Sequence, residues 1–192
     1  MKKKATIAVV ALALVLCFVI GGTLAWLVDK SDAVVNTFTY GDINIDLSES
    51  TGDEYKMIPG NDITKDPKVT VEANSEACWL FVKVEKSATY DSYLADYTIA
   101  DGWNELDGVA GVYYREVDAT TAKDGTSYQV LKGNTVTVLD SVEKSDMEAI
   151  KKGATAKPTL TFTAYAVQLD GFNATTNTEA QNAALAWAEI NK

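Results

Sequence analysis

There is no histidine anywhere in the 192 residues of this chain. Histidine is the usual general base near neutral pH and the commonest metal ligand. Its absence excludes Ser-His-Asp and Cys-His nucleophilic pairs and a zinc site of the His-Glu-x-x-His type. Cysteine is scarce: there are two, Cys17 and Cys78. Positive charge is in short supply too, with 17 Lys+Arg against 27 Asp+Glu and a net charge of −10. Such a surface repels nucleic acid and anionic lipid. Hydrolysis by paired carboxylates stays formally open, but no spacing of Asp and Glu singles out a pair, so a solvated acidic surface is the expectation. No internal repeat or low-complexity linker divides the chain.

The N-terminus holds the strongest signal. Lys2, Lys3 and Lys4 precede an uncharged run over residues 5–28 that ends before Asp29. A basic start, an apolar stretch and a small residue at the end describe an export signal. The small residue is Ala25, with Thr23 two positions before it, so cleavage between Ala25 and Trp26 is expected. Residues 1–25 then form a signal helix, and residues 26–192 a single secreted domain. The alternative is an uncleaved anchor reaching to Val28, since 24 uncharged residues span about 36 Å as a helix. Gly21-Gly22 favours cleavage by breaking the helix before Ala25. The lysines keep the N-terminus inside in either case, and only this segment is expected to contact membrane. Leu16 is too large to precede a lipid-modified cysteine, so Cys17 reads as one more apolar residue of the signal.

Cleavage removes three lysines and no acid, taking the net charge from −10 to −13. It leaves Cys78 as the one cysteine, so no intramolecular disulfide can form and the fold must stand on packing. Cys78 sits beside Trp79 at the head of an apolar strand and is expected to be a buried, inert thiol.

Most of the chain has a period of two. Ile43 to Leu47, Val69 to Val71, Trp79 to Lys86, Val112 to Val117, Thr135 to Leu139 and Thr159 to Gln168 read as strands. The Trp79 strand starts fully apolar and then alternates, which predicts a central strand with one wet end. In the last strand Leu160, Phe162, Ala164 and Ala166 share one buried face, with Tyr165 and Val167 buried instead if the strand bulges. Gly60, Gly102, Gly108, Gly125 and Gly133 mark turns. Two short helices are expected. One is capped by Ser145 with Glu148 and closed by Gly153. The other is C-terminal, capped by Thr178 with Gln181, and lays Ala184, Leu185, Ala188 and Trp187 on the sheet. The fold class is mainly β: an antiparallel, jelly-roll-like sandwich with these two helices after the signal helix.

The junction from Gly21 to Asp29, followed by Asn36-Thr37-Phe38-Thr39-Tyr40-Gly41-Asp42 and the Ile43 strand, resembles the TasA/CalY (camelysin-like) family. The Met57-Ile58-Pro59-Gly60-Asn61 turn is similar to that family's Pro-Gly turn. The resemblance implies a secreted Gram-positive protein, cut by a SipW-type signal peptidase and working at the cell surface or in the biofilm matrix. It implies self-association into fibres, in which the N-terminal strand of one subunit completes the sheet of the next. The donor-strand residues are then Val34, Val35, Phe38, Tyr40, Ile43, Ile45 and Leu47. The competing expectation is an ordinary first strand folded into its own domain.

Some relatives are described as metallopeptidases, which the missing histidine disfavours here. No catalytic, cofactor-binding or metal residue is assigned and no cofactor is expected. Asp29 with Asp32, and Asp62 with Asp66, lack the dense spacing of a calcium loop and read as surface acids. A rival function is an adhesin or carbohydrate-binding module using Tyr93, Trp103, Tyr113 and Tyr114 as an exposed platform. Core and cross-strand packing is the commoner use of such rings.

Overall fold

The chain's computed structural model describes residues 28–31, 43–51 and 55–192. The signal helix expected over 1–25 lies outside these residues.

The longest apolar alternation builds the centre of the molecule. Strand β5 (Cys78–Lys86) turns Leu80, Val82 and Val84 to one face and Trp79 and Phe81 to the other, all buried. Beyond Val82 the outward positions are Lys83 and Glu85, which meet solvent and pair at 2.7 Å. The central position and the wet end are both as the alternation predicts. Strand β10 (Leu160–Gln168) runs antiparallel beside it, with Phe162 opposite Val84, Ala164 opposite Val82 and Ala166 opposite Leu80. On the other side lie β7 (Val112–Val117) and the short β6 (Asn104–Glu105). Strand β1 (Val28–Ser31) closes the far edge, so the five-stranded order is β1-β10-β5-β7-β6.

A second layer packs across the inner face. It consists of β2 (Ile45–Ser48), β4 (Lys68–Val71) and β8 (Thr126–Gln129) in the order β2-β4-β8, with β3 (Asp62–Thr64) paired to β9 (Thr135–Thr137) beside them. Val69, Val71, Val130, Val136 and Val138 from this side meet Leu80, Val82, Phe162 and Ala164 in the main core. Among the described residues all strand pairs are antiparallel. The result is a β-sandwich that carries, among the described residues, three helices: the single turn α1 (Tyr90–Tyr93), α2 (Lys144–Lys151) and α3 (Glu179–Ile190).

Three expectations change in detail. First, β10 buries both faces at once. Its pairing with β5 is continuous, without a bulge. Tyr165 and Val167 are covered by α3 while Phe162, Ala164 and Ala166 face the main core. Second, the face that α3 lays on the sheet is Ala183, Ala186, Trp187 and Ile190, whereas Ala184 and Ala188 are exposed and Leu185 is 53% exposed. The helix is apolar nearly all round, so its rotation follows the largest side chain. Trp187 seats between Phe81 (centroids 5.3 Å apart) and Tyr165 (5.2 Å, edge-on). Third, α2 starts one residue before Ser145. Its capping pair is Glu143 with Asp146, whose carboxylate accepts from the Glu143 N–H at 2.8 Å. Glu148 instead faces Lys144 and Lys152 one turn away on either side. The C-terminal box stands as predicted: Thr178 Oγ1 accepts from Gln181 N–H and Gln181 Oε1 from Thr178 N–H. Gly153 ends α2 at φ +73°, as expected.

One turn sets the β7 edge. Gly111 holds φ +73°, and a Cβ there would lie 2.5 Å from the Val84 carbonyl oxygen. Its own carbonyl accepts from Val84 N–H at 2.8 Å, so it cannot move off. Gly111→Ala is expected to cost about 2 kcal/mol from left-handed strain and backbone collision, read as a fall of several degrees in thermal midpoint. An unchanged midpoint contradicts this.

Candidate functional site: the β1–β10 edge

The first described strand begins two residues beyond Trp26, at the expected cut. Val28, Asp29, Lys30 and Ser31 face Val167, Ala166, Tyr165 and Ala164 of β10. This short ladder is the outermost of the sheet that carries the main core. Four residues with an Asp, a Lys and a Ser are a weak strand sequence, held by backbone hydrogen bonds to β10 rather than by propensity. β10 is the opposite: its paired residues are buried on both faces. A strand of this kind can come from the same chain or from another copy, because the ladder uses only main-chain donors and acceptors.

Of the predicted donor-strand residues, Val34, Val35, Phe38 and Tyr40 lie outside the described residues, as do Ala25 and Trp26. Ile43 is buried and Ile45 and Leu47 are half-buried against the same core. Ile45 and Leu47 belong to β2, opposite Val71 and Val69 of β4. They therefore sit in the other layer from β1. Val28–Ser31 carries no strand signal in the sequence, since these residues straddle the end of the uncharged run and show no alternation.

The remaining candidates resolve into packing. Tyr93, Trp103 and Tyr114 are buried and Tyr113 is half-buried against the core. Trp103 Nε1 donates to the Gln129 carbonyl at 2.8 Å. These rings do not form an exposed sugar platform. Cys78 is fully buried, and desolvation pushes its thiol up to about 12. Asp62 accepts from the Thr137 hydroxyl at 2.6 Å. Asp66 accepts from the Ser50 N–H and hydroxyl, which hold its carboxyl below the usual range. A cavity of about 350 Å³ opens between Ile63, Leu94, Val136, Ile150 and Leu160. Lys65 at its wall is held by Glu49 at 2.6 Å and lies over the Tyr55 ring.

A family model described as "Camelysin metallo-endopeptidase" matches residues 1–86. Over those residues the chain is camelysin-like. The match spans the export run, β1, β2 and the chain up to the end of β5. It supports the TasA/CalY-type resemblance on which the junction residues bear. No curated protein and no solved structure matches the chain.

The family description implies a catalytic metal, usually held by nitrogen, thiolate or carboxylate donors. The chain has no histidine to offer. Among the described residues no three His, Cys, Asp or Glu side chains come together. Its buried thiol keeps its proton to about pH 12. The donors among the described residues do not fit a catalytic zinc. Among the described residues no helix is long and apolar enough to cross a membrane.

Proposed function

We propose that this is a secreted, non-enzymatic structural protein of a Gram-positive cell surface or biofilm matrix, which assembles when the N-terminal strand of one copy pairs with β10 of another. The observation that carries the reading is the position of β1: the first strand after the Ala25–Trp26 junction is a four-residue edge strand on β10, whose paired residues are buried on both faces. Signal cleavage frees one end of that strand. Head-to-tail strand exchange does not close on itself and propagates as a filament. That no metal-ligand set forms among the described residues supports a non-catalytic role over a peptidase, and the buried aromatic rings weigh against the carbohydrate-binding alternative.

The secreted protein is expected to begin at Trp26 by N-terminal sequencing. Electron microscopy then compares the chain starting at residue 26 with one starting at residue 41, at neutral pH and at acid pH that reduces the −13 charge. Filaments are expected from the longer chain and not from the shorter. Monomers of the longer chain under every condition, or filaments from both, sink the reading.

A further inference from the structure

Among its 17 basic residues the chain has a single arginine, Arg115 on β7. Its guanidinium lies 3.9 Å from the Tyr128 ring centroid and 5.4 Å from that of Trp103. Trp103 is itself fixed through its bond to the Gln129 carbonyl. Gly102, at φ +88°, brings bare backbone against the same group: a Cβ there would stand 3.2 Å from Nη2. The guanidinium is thus held between two rings and a glycine, which only a planar cation allows.

Stacking satisfies the faces of a guanidinium but not the N–H donors in its plane. Nε is buried without an acceptor. Among the described residues no carboxylate comes within ion-pair distance of Arg115, although the chain carries 27 acids. The neighbouring Asp101 is taken by Lys132 at 3.1 Å. Burial without a counter-charge lowers the basicity of Arg115. A half-buried, rigid and unpaired fork of donors matches one ligand chemistry best, a planar carboxylate taken edge-on in a bidentate pair.

We propose that Arg115, clamped between Trp103 and Tyr128, is a binding site for a carboxylate. Two sources share this chemistry: a free carboxylate, and an acidic side chain of a second copy of this acidic chain. The inference does not rest on strand exchange, because it concerns β7 and not the β1 edge.

One arginine gives one Nε–Hε resonance, so nuclear magnetic resonance of the ¹⁵N-labelled secreted chain reads the site directly. Titration with sodium acetate is expected to move that resonance to saturation, while acetamide and sodium chloride at equal ionic strength leave it in place. In R115K the acetate-induced shift of the Trp103 indole resonance is expected to weaken at least tenfold, since an ammonium cannot form the planar pair. Raising the protein concentration without acetate separates the sources: movement of the resonance identifies a second copy, constancy a free carboxylate. An acetate response that is absent, or equalled by acetamide or chloride, overturns the proposal, and this result needs only the unaltered chain.

Discussion

Replacing Trp79 with alanine is expected to destabilise the fold by about 4 kcal/mol, the range found for burying and then deleting a large ring. Trp79 is 1% exposed in the layer between sheet and α3. Its ring meets Tyr114 edge-on at 5.8 Å, and its Nε1 donates to the Phe172 carbonyl at 3.1 Å. Alanine removes the ring volume and the donor together. Against a total stability of about 5–15 kcal/mol for a single domain, and with no disulfide to limit the unfolded chain, the loss is a large fraction. Trp79→Phe keeps a ring but loses the hydrogen bond and is expected to cost about half as much. Urea unfolding followed by circular dichroism measures both. A Trp79→Ala loss below about 1 kcal/mol contradicts the packing described.

The second large effect is alkaline. The unfolded Cys78 thiol ionises near its ordinary value of 9.0, whereas the buried thiol of the folded chain holds its proton to about 12. A raised folded value means stability that is complete below pH 9 and is lost as pH climbs towards 12. By pH 11 the unfolded state has gained about two pH units of proton release over the folded one, about 3 kcal/mol. Tyr90, pushed up to about 12 by burial, and Tyr97, raised by burial and its bond to Tyr113, add to the loss above pH 10. Urea unfolding at pH 8.5, 10 and 11 is expected to show wild-type stability declining from pH 9. In Cys78→Ala the decline is expected to start a unit later and be shallower. Parallel declines in the two proteins contradict the assignment to Cys78.

The parts of this fold that were legible from sequence are those where burial and periodicity agree. In β5 and β10 the apolar alternation identified both the strands and their central place. Thr178 and Gln181 marked the start of α3, because a capping box is a local hydrogen-bond pattern. Other elements owe their existence to neighbours. β8 is Thr-Ser-Tyr-Gln and β6 is Asn-Glu, with too little apolar character to register, and each forms because an adjacent strand presents open backbone. The rotation of α3 is not legible in its sequence, because alanines surround it and the contacts of Trp187 with Phe81 and Tyr165 form only in the folded chain. Both sites were largely silent. Val28–Ser31 has no alternation of its own, and Arg115 gains its character from Tyr128 and Trp103, which meet it only in the folded chain.

Filament growth by the proposed strand exchange requires β1 to leave its own β10 for that of a neighbour. Ser31 and Ala164 face each other in the ladder, so a Ser31→Cys, Ala164→Cys pair in a Cys78→Ala background can lock β1 in place by oxidation. Light scattering and electron microscopy of the oxidised and reduced forms of this one variant measure the claim directly. The reduced form is expected to assemble as the wild type does, and the oxidised, intrachain-locked form to remain monomeric. Equal assembly by the locked and unlocked forms would contradict strand exchange as the basis of the filament.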